Sequence, residues 1–372
     1  MRATANSETQ PQNRQSNLNS RSVVDAALGL TRTRRLLVIL SALMIASIVV
    51  AVGLGPVFIA PGQVLRIIGH HVLNRPSTMS WPRSADAIIW DVRFPRVLLG
   101  ALVGAALGVT GLALQAIVRN PLAEPYILGV SSGASTGAAA AILFGVGSSL
   151  GSNSVSVVAF IGALLAMLLV LSLARAGGSI TPGRMLVAGV AVGYVLNSTT
   201  SLLVLFSDST EGGRAVMFWL LGSLGQAGWS VLPVISIVVF GSIGVLWWWR
   251  RRLDALAIGD ETAYAIGVDP VRTRFMLIVV IALCIGASVA VSGGIGFVGL
   301  AIPHIARRLA GASSHRITVP ASALLGALLL VWADVGARLI LQPRELPIGV
   351  VTGILGAPVL VILVRRLQSV DT

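Results

Sequence analysis

The chain has 372 residues, 55% of them hydrophobic and only 11% charged, with a formal net charge of +13. Its mean hydropathy of +0.88 lies well beyond a soluble globular domain, in which about 45–50% of residues are apolar. All 27 basic residues are arginine, which rules out a P-loop ATPase with its Gly-Lys-Ser/Thr turn and lysine imine chemistry.

Ten apolar runs follow one another, near 36–58, 94–118, 126–146, 155–174, 184–206, 230–249, 275–292, 295–311, 317–341 and 346–364. Most are about 20 residues long, the length a helix needs to cross the hydrocarbon core. The expected class is an all-α polytopic membrane protein with about ten spans. Residues 1–30 are rich in Ser, Asn, Gln and Thr and are expected to form a disordered cytoplasmic tail. The tail is too long and polar for a signal-peptide n-region, and the run after it exceeds an h-region, so the first helix is expected to be retained. No soluble domain boundary follows, and 31–372 reads as one transmembrane domain.

Beyond the first run, 57–93 is expected outside, with an amphipathic piece at Gln63–Leu73. The second run opens on Arg93-Phe94-Pro95-Arg96. Glycines at spacing four mark it (Gly100, Gly104, Gly108), the third run (Gly129, Gly133, Gly137) and the fifth (Gly189, Gly193). Such spacing lets helix backbones approach closely in lipid; lining a pathway is the alternative role. Thr181-Pro182-Gly183 forms a turn before the fifth run, and 208–228 holds Phe218-Trp219, expected in a short interfacial helix.

The inner loop, about 253–270, carries a short helix at 258–268. Asp260 and Glu261 suit its start and Gly267 its end. Too short to span and flanked by arginine clusters, it is a natural docking knob. Gly293 to Gly296 then interrupt the apolar pattern before Pro303-His304 and Arg307-Arg308. Irregular backbone at membrane depth is tolerated only where protein or a water-filled cavity shields it, so a working segment is expected here. In the ninth run Asp334 and Arg338 are four residues apart, near Glu345, and are expected close enough to a span end to snorkel.

With the N-terminus inside, 19 arginines fall inside and 8 outside, the bias of a plasma-membrane protein with both termini cytoplasmic. That bias accounts for the positive charge without nucleic acid. Cys284 stands alone, so neither a disulfide framework nor a metal cluster is expected. His304 lacks a neighbouring second ligand, and the pair His70-His71 is a poor metal site.

From Arg93 to Arg366 the motifs resemble the FecCD family, the permease subunits of ABC importers for ferric siderophores and vitamin B12. The resemblance rests on Arg93-Phe94-Pro95-Arg96, on Gln115 with 119–125, on 128–134 and on the inner-loop helix. It continues through 294–307, Asp334 with Arg338, and 345–350. It implies the type II importer permease fold, with the path at the interface of two permease subunits, in a homo- or heterodimer. It also implies two cytoplasmic ATPase subunits and an extracytoplasmic substrate-binding protein.

By this similarity Arg93, Arg96 and Arg338 would dock the binding protein. Gly259, Asp260, Glu261, Ala263 and Gly267 would couple to the ATPase, and Thr181, Pro182 and Gly183 would stand at the gate. The fifth run would line the path. The chain would hold no ATPase activity, catalytic residue, metal or cofactor of its own. Ferric siderophore is the expected cargo, with cobalamin or haem as the alternative. An ion-coupled secondary transporter, which would normally carry carboxylates at mid-membrane, is the distant rival.

Overall fold

The computed structural model describes residues 33–176, 181–311 and 314–368; the tail expected at 1–30 lies outside them. The described residues form helices joined by short turns. In chain order these are α1 (Thr33–Gly53), α2 (Pro61–Leu73), α3 (Arg83–Val118), α4 (Val130–Phe144), α5 (Ser154–Arg175), α6 (Pro182–Leu205) and α7 (Thr210–Leu220). They continue with α8 (Leu232–Trp248), α9 (Arg250–Ile258), α10 (Asp260–Ala265), α11 (Pro270–Ser292), α12 (Val298–Ala310), α13 (His315–Leu339) and α14 (Ile348–Gln368).

All ten expected runs contain a helix, but not all are full spans. Six helices are long and apolar enough to cross a bilayer, and the α8–α9 pair, bent by 61°, would make a seventh. At 1.5 Å per residue, α4 and α12 reach only about 20 Å. The reasons are local. Residues 120–129 go into an irregular approach with a 3-10 turn at Pro125–Leu128, and α12 starts late because Gly293–Phe297 is non-helical. In the other direction α3 outruns its expected start by eleven residues. Pro95 has no N–H to offer the turn before it, and that turn widens into a π segment, Ile88–Arg93, in which the Phe94 N–H reaches back to Ile89.

The core forms around α3, whose Val97, Leu99, Val103, Leu107, Leu112 and Ile117 are buried on all sides, as in a central helix. The glycine spacing serves close packing. A Cβ on Gly104 would collide with the Gly326 carbonyl of α13, and one on Gly133 with the Gly162 carbonyl of α5. Helix α6 is the opposite case. Val187, Val190, Tyr194, Val195, Leu202 and Leu205 leave most of its surface uncovered.

Candidate functional site

Helix α3 carries Arg93 and Arg96 toward one end of the molecule, the rim, and is followed at its other end by Arg119, which lies 3.8 Å from Asp260 of the short knob helix α10. A third region, the broken segment 293–297, lies between these two ends.

At the rim the three arginines do not stand out in solvent. Arg93, Arg96 and Arg338 are 6%, 7% and 5% exposed, and Asp334 is 1% exposed. The Asp334 carboxylate accepts from Arg96 Nε at 2.8 Å and pairs with Arg338 Nε at 3.0 Å. Arg96 also reaches Glu345 at 2.9 Å, whose side chain is 50% exposed. Arg93 donates to the carbonyls of Val52, Gly53 and Val57, and Arg338 to those of Ala51 and Leu54. The Ala51, Val52 and Gly53 carbonyls are at the end of α1, which favours cations, and Leu54 and Val57 belong to the turn that follows it. Arg93 and Arg338 therefore cap α1 and tie it to α3 and α13. The snorkelling expected for Asp334 and Arg338 is corrected: both are buried, because each finds its partners inside the protein.

The broken segment is held by residues far away in sequence. Glu124 accepts the Phe297 N–H at 2.6 Å. The Tyr126 hydroxyl accepts from the Ile295 N–H and donates to the Ile295 carbonyl, both at 2.8 Å. Phe297 takes a left-handed backbone, φ 68°, which is unusual for a bulky residue. From the other side Ser223 N–H bonds the Ser292 carbonyl, and the Ile348 and Gly349 N–H groups bond the Gly222 and Leu221 carbonyls. The turn after α7 is thus packed against this break, while α7 is itself a short helix holding Phe218-Trp219, with Phe218 exposed. At the far end of α12 the Arg307 guanidinium donates to Gln115 Oε1 at 2.6 Å, and Gln115 Nε2 reaches the Leu300 carbonyl at 3.3 Å. The break at 293–297 is thus held from both sides by other parts of the chain, as membrane depth requires.

The knob consists of two helices rather than one. Helix α9 continues to Ile258, Gly259 breaks the chain, and α10 is Asp260–Ala265. Asp260 was expected as a cap. Its side chain does not cap α10; it pairs with buried Arg274 of α11 at 2.9 Å. Ala263 is buried, while Ile258, Tyr264 and Ile266 are exposed together with Glu261. Gly267, at φ 79°, lets the Val268 N–H reach the Ala263 carbonyl at 2.8 Å, a closure that a Cβ would strain. Behind the knob, Asp254 Oδ1 accepts the His315 backbone N–H at 2.9 Å and meets the His315 ring at 2.6 Å, joining α9 to α13. Burial pushes the Asp254 carboxyl up, but the His315 bonds outweigh it and hold it below its ordinary value.

At the expected gate, Thr181 Oγ1 accepts the Arg184 N–H at 3.4 Å and Pro182 is the first residue of α6. Gly183, Arg184, Val187 and Ala191 line a shallow depression of about 500 Å³ against α5. Thr181, Pro182 and Gly183, the residues expected at a gate, stand at the start of the uncovered α6. The Glu124 and Tyr126 anchors were missed as functional residues. Glu124 was visible only inside a motif, and nothing local marks a partner some 170 residues away. Among the described residues no group of three or more His, Cys, Asp or Glu side chains converges on a possible metal position.

Comparison with known proteins gives a consistent picture. The FecCD transport family matches residues 36–366. The vitamin B12 import system permease protein BtuC of Salmonella paratyphi A is 39% identical over 338 residues, 90% of this chain and 96% of that protein. The protein of the same name from Klebsiella pneumoniae is 38% identical over 342 residues, 90% and 95% of the two chains. A solved structure described as an inward-facing metal-chelate type ABC transporter superposes with a TM-score of 0.76 at 29% identity, covering 90% of this chain and 99% of its own.

Proposed function

We propose that this chain, which belongs to the FecCD transport family, is the permease through which an ABC importer carries a cobalamin-type chelate across the plasma membrane. The family supplies the permease role. The identity of 39% to vitamin B12 permeases, over nearly their whole length, favours cobalamin over the ferric siderophore expected from the motifs alone.

The single structural observation behind the mechanism is that one helix reaches from the rim to the knob. Helix α3 joins Arg96 at one end to Arg119, beside Asp260, at the other. We place the knob in the cytoplasm, with Ile258, Glu261, Tyr264 and Ile266 seated in a groove of a partner ATPase. Nucleotide binding shifts the permease only to the extent that the ATPase grips one of its states better. The bare face of α6 would meet the second permease subunit, and the path would run between them from a gate at Thr181, Pro182 and Gly183.

At the rim Arg96 is the arginine best placed to receive an acidic residue of the binding protein. Its pairing with half-exposed Glu345 can be exchanged at small net cost, since exposed ion pairs contribute about 0–1 kcal/mol. Arg93 and Arg338 add charge and fix the rim in place. Deleting the gene in a strain dependent on external cobalamin tests the cargo: growth on cobalamin should fail while ferric-siderophore use persists. The reverse pattern would restore the siderophore reading.

A further inference from the structure

We propose that the bend between α8 and α9 is a binding site for an anionic phospholipid of the leaflet at the knob end. Three tryptophans, Trp247 to Trp249, run directly into three arginines, Arg250 to Arg252, where the chain turns by 61°. The Arg250 guanidinium lies over the Trp247 ring at 4.4 Å from its centroid and donates to the Trp247 carbonyl at 3.0 Å. The Arg252 guanidinium lies 5.2 Å from the Trp249 centroid. Trp247 Nε1 donates to the Arg316 carbonyl at 3.2 Å, which draws the start of α13 into the same corner.

The charge at this corner is unbalanced. Among the described residues, the ion pairs found involve none of Arg250, Arg251, Arg252 and Arg316. The nearby carboxylate of Asp254 is taken by His315 and Ser314. Arg251, Arg252 and Arg316 are exposed, and Trp248 is 76% exposed. A bare tryptophan beside four cations fits the level of the lipid headgroups, where its ring is partly in hydrocarbon and partly in water. An ordinary inward-facing loop also collects arginine. Here two of the guanidinium groups lie over indole rings, which sets their charge beside the aromatic surface at the bend. A phosphodiester carries the complementary charge, and the Trp248 face gives its acyl chains a wall.

The test uses the full chain in bilayers containing brominated phosphatidylglycerol or brominated phosphatidylcholine at equal fraction, read by tryptophan fluorescence. Subtracting the Trp248→Phe signal isolates the indole at the site. Quenching of Trp248 should favour the anionic lipid. Arg251→Gln with Arg252→Gln should lower that relative affinity roughly 30-fold, at about 1 kcal/mol per arginine. Arg316→Gln, which leaves the loop sequence intact, should lower it in the same direction. Excess inorganic phosphate should leave the preference in place, as expected for a lipid rather than a free anion. Equal quenching by both lipids would overturn the proposal, as would a preference unchanged in both arginine variants. Loss of ATPase co-purification with unchanged lipid preference would reassign the cluster to protein docking.

Discussion

Replacing Asp334 by Asn keeps its size and removes its charge. In the native rim this carboxylate stands between Arg96 Nε at 2.8 Å and Arg338 Nε at 3.0 Å, and the three side chains are 2%, 9% and 5% exposed. Without it two guanidinium groups face each other in a site that admits little water. Removing one partner of a buried ion pair costs about 3–5 kcal/mol, so Asp334→Asn should destabilise the protein by that amount. Glu345→Gln is the internal control. Glu345 also contacts Arg96 but is half-exposed, and its loss should cost no more than about 1 kcal/mol. Pairing Asp334→Leu with Arg96→Met should recover part of the loss, because an uncompensated charge is removed with its partner. Equilibrium unfolding in mixed micelles of mild and denaturing detergent reads all three variants. An Asp334→Asn protein as stable as its Glu345→Gln counterpart would refute the view that this carboxylate is the hub of the rim.

Three further outcomes follow from the same geometry. Glu124→Ala leaves the part-buried Phe297 N–H without its acceptor, a loss of about 1 kcal/mol or somewhat more, and amide exchange at Phe297 should quicken by about one order of magnitude; unchanged exchange would remove Glu124 as the anchor of the break. Glu261→Ala combined with Gly267→Val strains the φ 79° turn by roughly 1–2 kcal/mol and should separate ATP hydrolysis from uptake in the assembled transporter, so normal transport by this variant would exclude the knob as the coupling element. Arg96→Glu should weaken capture of the binding protein at least tenfold in a pull-down with the ATPase still attached, and undiminished capture would take Arg96 off the docking surface.

Much of this architecture is legible in the amino-acid order, because hydrocarbon permits few solutions for a long apolar run. Each run does hold a helix, and the glycines at 293–296 do mark a break. What escapes is the set of long-range partners. Hydropathy places Arg93, Arg96 and Arg338 near span ends, where exposure is the cheapest arrangement for an isolated helix. Yet Arg96 finds Asp334 238 residues later, and Arg93 finds the end of α1 some 40 residues earlier. The same gap separates Asp260 as an apparent helix cap from Asp260 as the partner of Arg274. Helix lengths failed for a related reason. A run without a single charge, such as 126–146, says nothing about whether its first turns are helical or gripped from outside, and Pro125–Leu128 is a tight 3-10 turn.

Reconstitution measures the central claim most directly. Vesicles carrying this chain with its ATPase, and with binding protein loaded with cobalamin on the opposite side from the knob, should accumulate labelled cobalamin only when ATP is supplied on the knob side. Accumulation against a gradient by vesicles holding this chain alone would contradict the account.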